Sequence, residues 1–388
     1  MNKKQYLHCD FIVDNSRFVF FSYDNFLLEF NLNDHKLQFS EFADTDICGK
    51  IAYRDSIERL IRVKEILIAF SISGEKIYFY NIETKCWKTI AIECNQYRYG
   101  NYIDILYNDK FVYAIPKYRS YILAIDIHKQ YIVKVGASFL LQLSSQGTVV
   151  CMNRNALYFF ESQSQRILIF YPDTGKYMET EIEYTLGSVA SVQYISGGFL
   201  ILTSDGYLIK WTEGSRHVEL IVEPVEKFCK DCFLEFAATE KNIWLLPMVG
   251  KSIYVYEIRD GRLKEYKDYP IEFSYWGSNG RYKFLRGHEY KNNIYFGMHS
   301  ASHFLAINKK TGIAKWIEPI FPTEKDEYMY RIRHGLHPAE NEGELSAEVF
   351  LKTIKNLDNQ LLKAVKNSRI KENYYIGELI YEKVNGIC

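Results

Sequence analysis

The sequence predicts an all-β fold, and three observations carry that reading. An apolar run returns seven times, starting near Phe18, Ile66, Phe111, Ala156, Phe199, Ile243 and Ile294, at steps of 48, 45, 45, 43, 44 and 51 residues. Each run is followed by a short polar turn, a second aromatic-rich strand and usually a third. The 32 Tyr and 25 Phe are residues that pack well on half-buried sheets. A unit of this size cannot bury both its faces alone and must stack on copies of itself. Seven such sheets close naturally into a ring, so the expected architecture is a seven-bladed β-propeller of four-stranded antiparallel blades, followed by a C-terminal α-helix.

The third repeat displays the unit. Tyr102 to Leu106 reads as a first strand, Asn108-Asp109 as a turn, and Lys110 to Ile115 as the second strand. Tyr121 to Asp126 and Tyr131 to Val135 supply the third and the outer fourth. Runs of this length bounded by Asn, Asp, Gly and Pro are the mark of short antiparallel strands. The second repeat follows the same plan, with Ile66 to Phe70, a Ser73-Gly74-Glu75 turn, Ile77 to Tyr80, then Trp87 to Ile90. The repeats place a propeller over residues 1–322 and an extension over 323–388. Tyr328 to Arg333 reads as an extra strand that could pair with the chain start and help close the ring. Within the extension, Phe350, Ile354, Leu357, Leu361 and Val365 recur at spacings of 4, 3, 4 and 4, which predicts an amphipathic helix near 344–366. Two uses suit it: packing on the side of the propeller, or docking a partner.

Composition narrows the function. Forty-eight basic and 48 acidic residues cancel, so no net field steers the chain to nucleic acid or to anionic lipid. The first residues carry two lysines but no apolar stretch of signal-peptide length, and no run approaches the roughly 20 apolar residues of a membrane span. Eight scattered cysteines fit reduced thiols rather than a disulfide framework. A cytoplasmic protein with no membrane and no nucleic-acid partner is therefore expected. No P-loop, dinucleotide fingerprint or serine-nucleophile elbow occurs, and Cys229-Lys230-Asp231-Cys232 lacks the second CxxC a zinc site needs.

The segment from Ile77 to Trp87 resembles the Kelch repeat, with its aromatic strand, Thr-containing turn and Trp. Phe170 to Lys176 is similar, and Phe304 through Trp316 resembles quinoprotein-type blades. Kelch repeats carry a Gly pair after the second strand of each blade, whereas Gly197-Gly198 is the sole such pair here and precedes a strand. No Trp-Asp dipeptide marks the chain as a standard WD-repeat protein. The resemblance implies a fold and a usual binding face, made by the interblade loops and the loops between second and third strands. It implies no particular activity.

On that face the sequence concentrates Tyr97, Arg98, Tyr99, Tyr118, Arg119, Tyr275, Trp276 and Arg281. Tyr, Trp and Arg dominate binding hot spots, and guanidinium forks hold anionic groups, although the same side chains also suit packing between blades. Five of nine histidines lie between 288 and 337. His288 is placed on the innermost strand of blade seven, beside Glu289, and His299 and His303 bracket that blade's loop. Imidazoles serve as acid–base groups or metal ligands, and streptogramin-type lyases are propellers that use histidines and a metal near the channel mouth. The expectation is a binding or scaffold module for a protein, peptide or glycan-like ligand, with no cofactor. The alternative is a lyase or hydrolase on a peptide or carbohydrate that uses His288, His299 and His303, with a divalent metal possible.

Overall fold

A computed structural model describes residues 8–14, 16–22, 27–39, 57–71, 76–84, 86–92, 102–108, 110–117, 119–143, 147–195, 197–224, 233–248, 252–270, 284–298 and 303–320. These residues form seven four-stranded antiparallel sheets, each with its strands in simple sequential order. The chain is a seven-bladed β-propeller. The inner strands, first in each blade, are His8–Asp14, Ile57–Val63, Tyr102–Tyr107, Thr148–Asn153, Val189–Ile195, Phe233–Ala238 and Phe284–Tyr290. The predicted helix near 344–366, the strand expected at Tyr328 to Arg333 and the Cys229/Cys232 pair lie outside the described residues.

The seven apolar runs of the sequence are the second strands. Ile66–Ser71 and Gly198–Thr203 are buried along their whole length, and Ala156–Glu161 along all but its last residue. The reason is positional: a second strand is flanked by strands on both edges and by neighbouring blades on both faces. Outer strands are mostly exposed or only half-buried instead, as in Tyr131–Gly136, because they lie at the rim of the ring. Hydrophobic clusters occupy the spaces between blades. One joins blades two and three through Phe70, Phe79, Val112 and Leu123, and another joins four and five through Phe160, Phe199 and Trp211. Phe199 stacks on Trp211 at 5.4 Å between ring centroids, a contact worth about 1 kcal/mol beyond its buried area.

Among the described residues the ring closes without exchanging strands. Blade one is built wholly from the start of the chain and blade seven wholly from its own four strands. Their seam is aromatic: Phe304 of blade seven lies 4.5 Å from Phe18, 5.5 Å from Phe30 and 5.6 Å from Phe11, centroid to centroid. Tyr295 adds an edge contact to Phe18 at 5.1 Å. At the rim, Ile320 forms a parallel bridge with Lys36, donating its N–H to His35 O at 2.6 Å and accepting from Leu37 N at 3.0 Å. The chain after blade seven thus extends the outer edge of blade one. Among the described residues no helix is long and apolar enough to cross a membrane.

Candidate functional site

The inner strands surround a central cavity of about 910 Å3, within the size range of small-ligand pockets. What reaches it is decided by one recurring irregularity. In six blades the pairing of first and second strands slips near the start of the inner strand, a β-bulge. A bulge re-aims the side chain beside it. The residue two places after each inner strand's first is Asp10, Arg59, Asp104, Ser191, Glu235 or Arg286 in those blades. Blade four pairs without a slip, and its corresponding residue is Val150, fully buried. Six polar side chains therefore stand at one level around the channel, each carried there by the same local device.

The acids cap the irregularity. Asp10, Asp104 and Glu235 each accept a hydrogen bond from the N–H of the next residue, at 2.9, 2.7 and 3.1 Å. The ring then knits blade to blade. His288 Nε2 of blade seven lies 3.0 Å from Asp10 Oδ1 of blade one, and Leu60 N of blade two donates to Asp10 Oδ2 at 3.0 Å. Ser191 of blade five hydrogen-bonds Glu235 of blade six, and Gln193 Nε2 donates to Phe236 O at 2.7 Å. Arg286 does something different. It crosses the channel from blade seven to blade three and donates to both carboxylate oxygens of Asp104, at 2.9 and 3.3 Å. Arg59 stands 3.9 Å from the same carboxylate.

The environments push Asp10 and Glu235, two of the three buried acids of this ring, in opposite directions. Burial lifts the Asp10 carboxyl, but the His288 hydrogen bond and charge, the Arg59 charge and the Leu60 N–H outweigh it and hold the group below its ordinary 3.8. Burial lifts Glu235 above its ordinary 4.5, against the pull of Ser191, Arg286, the Phe236 N–H and Gln193. Burial likewise pushes the Cys151 thiol up to about 11, which keeps it protonated and unreactive near neutral pH. The Asp104 charge raises the Arg286 guanidinium against the opposing effect of burial, with Glu235 and Asp10 adding to it.

From the ring the lining runs to the turns that join first and second strands, and includes Arg62, Lys64, Tyr107, Arg154, Tyr194 and Glu289. Tyr107 and Tyr194 are 50% and 41% exposed, unusual for large aromatics in a channel wall. Lys64 and Arg154 open two-residue turns in the left-handed region, at φ 53° and 55°. A long side chain there costs about 1 kcal/mol against Gly, so both cations are held at this end at some expense in backbone energy.

Of the residues expected from sequence, His288 lies on the inner strand of blade seven and lines the cavity. His303 directly precedes the third strand, Phe304–Asn308, and is not part of the lining, so the structure does not bring these two together at the cavity. Arg119 is half-buried in the loop between second and third strands of blade three, at the other end of the channel from the lining turns. Tyr97, Arg98, Tyr99, Tyr118, Tyr275, Trp276, Arg281 and His299 lie outside the described residues. Among the described residues no three His, Cys, Asp or Glu side chains gather as a metal-ligand set. Asp10, Arg59, Ser191, Glu235 and Arg286 were not singled out by sequence reasoning. The signal for them is a polar residue at the third position of successive inner strands, legible once the repeats are aligned on their first strands.

No protein-family model matches the chain, and no curated protein matches it. Solved structures do. PorZ of Porphyromonas gingivalis, described as an essential bacterial surface component of the type-IX secretion system, superposes with a TM-score of 0.56 at 12% identity. The match covers 82% of this chain but only 39% of that one. A streptogramin B lyase gives 0.56 at 12% identity over 77% of this chain and 93% of its own. Sqt1 of Saccharomyces cerevisiae gives 0.55 at 11% identity over 82% and 87%. At such identities the likeness is one of fold.

Proposed function

We propose that this chain is a ligand-binding propeller whose central cavity receives part of a protein, a peptide or a glycan-like ligand. The observation that carries the reading is the cavity wall itself. Two half-exposed tyrosines, Tyr107 and Tyr194, alternate around it with Arg62, Lys64, Arg154 and the charged ring. Tyrosine offers a rigid apolar plane with a polar tip, which suits sugar rings and peptide groups alike. Convergent polar groups set orientation and specificity. PorZ and Sqt1 share the fold, and the former's role in a secretion assembly is in keeping with a propeller that recognises other macromolecules. A helix near 344–366 would give the chain a second docking element, and a cytoplasmic setting agrees with Cys86 and Cys151 being free thiols. The test is capture from arrays of glycans and peptides by the full chain and by Tyr107→Ala and Tyr194→Ala. A ligand class retained by the parent and weakened at least tenfold by either substitution, with unchanged melting, supports the cavity. Ligands indifferent to both substitutions move the site elsewhere.

A second reading is favoured by one specific observation: Asp10, held ionised and paired with His288, faces the same cavity as Glu235, which is biased toward its protonated form. A base and an acid separated by environment are what a lyase or hydrolase on a carbohydrate or peptide requires, and a streptogramin B lyase shares the fold. Turnover of any captured ligand, abolished by His288→Ala and by Glu235→Gln, would promote this reading. The metal content of the purified protein decides whether a divalent ion takes part.

A further inference from the structure

The guanidinium of Arg59 is little used by the ring that surrounds it. Its side chain is 29% exposed in the cavity wall, and among the described residues it makes no hydrogen bond. Its contact with Asp104 is long, at 3.9 Å, and that carboxylate is already occupied. Asp104 accepts two hydrogen bonds from Arg286 and one from Ile105 N at 2.7 Å. The other neighbouring carboxylate, Asp10, is taken up by Phe11 N, Leu60 N and His288. A guanidinium presents five donors in a planar fork, so several of Arg59's are left directed at the cavity.

The rest of the lining leans the same way. Arg59, Arg62, Lys64, Arg154 and Arg286 stand against Asp10, Glu235 and Glu289 in the lining and against Asp104 of the ring, which is paired with Arg286. Glu289 is tied to Lys309, and Glu235 shares its carboxyl with Ser191 and the Phe236 N–H. Arg62 and Lys64 of blade two and Arg154 of blade four flank the exposed Tyr107 of blade three at the turn end. Cations lining a walled cleft raise the local concentration of an anion and guide it inward.

We propose that the ligand carries an anionic group, a carboxylate or a phosphate, and that Arg59 receives it through fork-like hydrogen bonds. Arg62, Lys64 and Arg154 draw the group in, and Tyr107 packs on what it is attached to. This inference rests on the cavity being the binding site and specifies what it binds.

The test uses the full chain titrated with inorganic phosphate and, separately, with citrate at constant ionic strength, with sodium chloride as reference. Thermal stability is the readout. The parent is expected to show a saturable rise in melting temperature with at least one of the two anions, and the stronger of them identifies the group. Arg59→Gln should need at least tenfold more anion for half the effect. Arg216→Gln, on an exposed arginine of blade five, should behave as the parent. Should Arg59→Gln melt too early to titrate, Arg59→Lys keeps the charge without the fork and should fall between the two. No saturable rise in the parent, or equal half-saturation in parent and Arg59 variants, overturns the inference. If neutral glycans or peptides are still captured in a Tyr107-dependent way, the cavity reading survives while the anionic ligand does not.

Discussion

The bar that Arg286 and Asp104 throw across the channel is a contact whose energy can be isolated. Removing one partner of a buried ion pair costs about 3–5 kcal/mol, most of it from leaving the other charge without a counterion. Here Arg286 is 34% exposed while Asp104 is 9% exposed, so water compensates part of the loss, and about 2–3 kcal/mol is the figure for Asp104→Asn. Arg286→Gln should cost less, because Arg59 already stands 3.9 Å from the abandoned carboxylate and can close on it. In the double variant two amides face each other and neither member of the bar leaves its partner's charge behind, so its cost should fall short of the sum by about 2 kcal/mol, roughly a 30-fold effect on the folding equilibrium. Urea unfolding of the four proteins, followed by tryptophan fluorescence and circular dichroism, gives that coupling, provided the two probes report coincident transitions. A coupling below about 0.5 kcal/mol, the level of sites that do not interact, would refute the claim that the bar joins opposite walls.

Phe304→Ala should cost about 3–5 kcal/mol, since the ring sits among Phe11, Phe18 and Phe30 at the seam between blades one and seven; chemical denaturation measures it. Gly198→Ala should destabilise by about 1–3 kcal/mol, because its Cβ would stand 2.4 Å from the carbonyl oxygen of Trp211, a backbone atom that cannot step aside. Glu235→Gln should stabilise the protein at neutral pH. The raised folded value means that, from about 4.5 up to that value, the native state keeps a proton the unfolded chain has released, so stability falls with rising pH and the Gln variant escapes the fall. Asp10 has the opposite sign: its lowered folded value contributes stability that is present above about 3.8 and lost as pH falls through the folded value, and Asp10→Asn should flatten that acid limb in pH-dependent unfolding.

Much of the fold is legible because burial writes itself into sequence where it is most complete. Second strands such as Ile66–Ser71 are enclosed on every side, so they are the longest apolar runs, and their spacing alone sets the number of blades. The third repeat's four strands fall within a residue or so of their expected limits for the same reason. His288 is legible as an inner-strand residue, but its partner Asp10 is not, since the two lie 278 residues apart and meet only through closure of the ring. Arg59, Glu235 and Arg286 are hidden for another reason. A lone polar residue in an apolar strand looks like ordinary in–out alternation, and a bulge that redirects it has no signature within one repeat.

The bulges have a consequence for how such a molecule changes over time. Packing between blades is carried by the apolar residues of the strands, while in six of the seven repeats one polar side chain is set apart at a common height in the channel. Aspartate, arginine, aspartate, serine, glutamate and arginine occupy that height, and blade four alone turns a valine into the core instead. A scaffold with near-sevenfold regularity thereby displays an irregular ring of charges, and any one member can be exchanged without reworking the apolar contacts that keep the wheel closed. Lineages built on this chassis are free to diverge in ligand by single substitutions at six known places, which is where variation among relatives should first be sought.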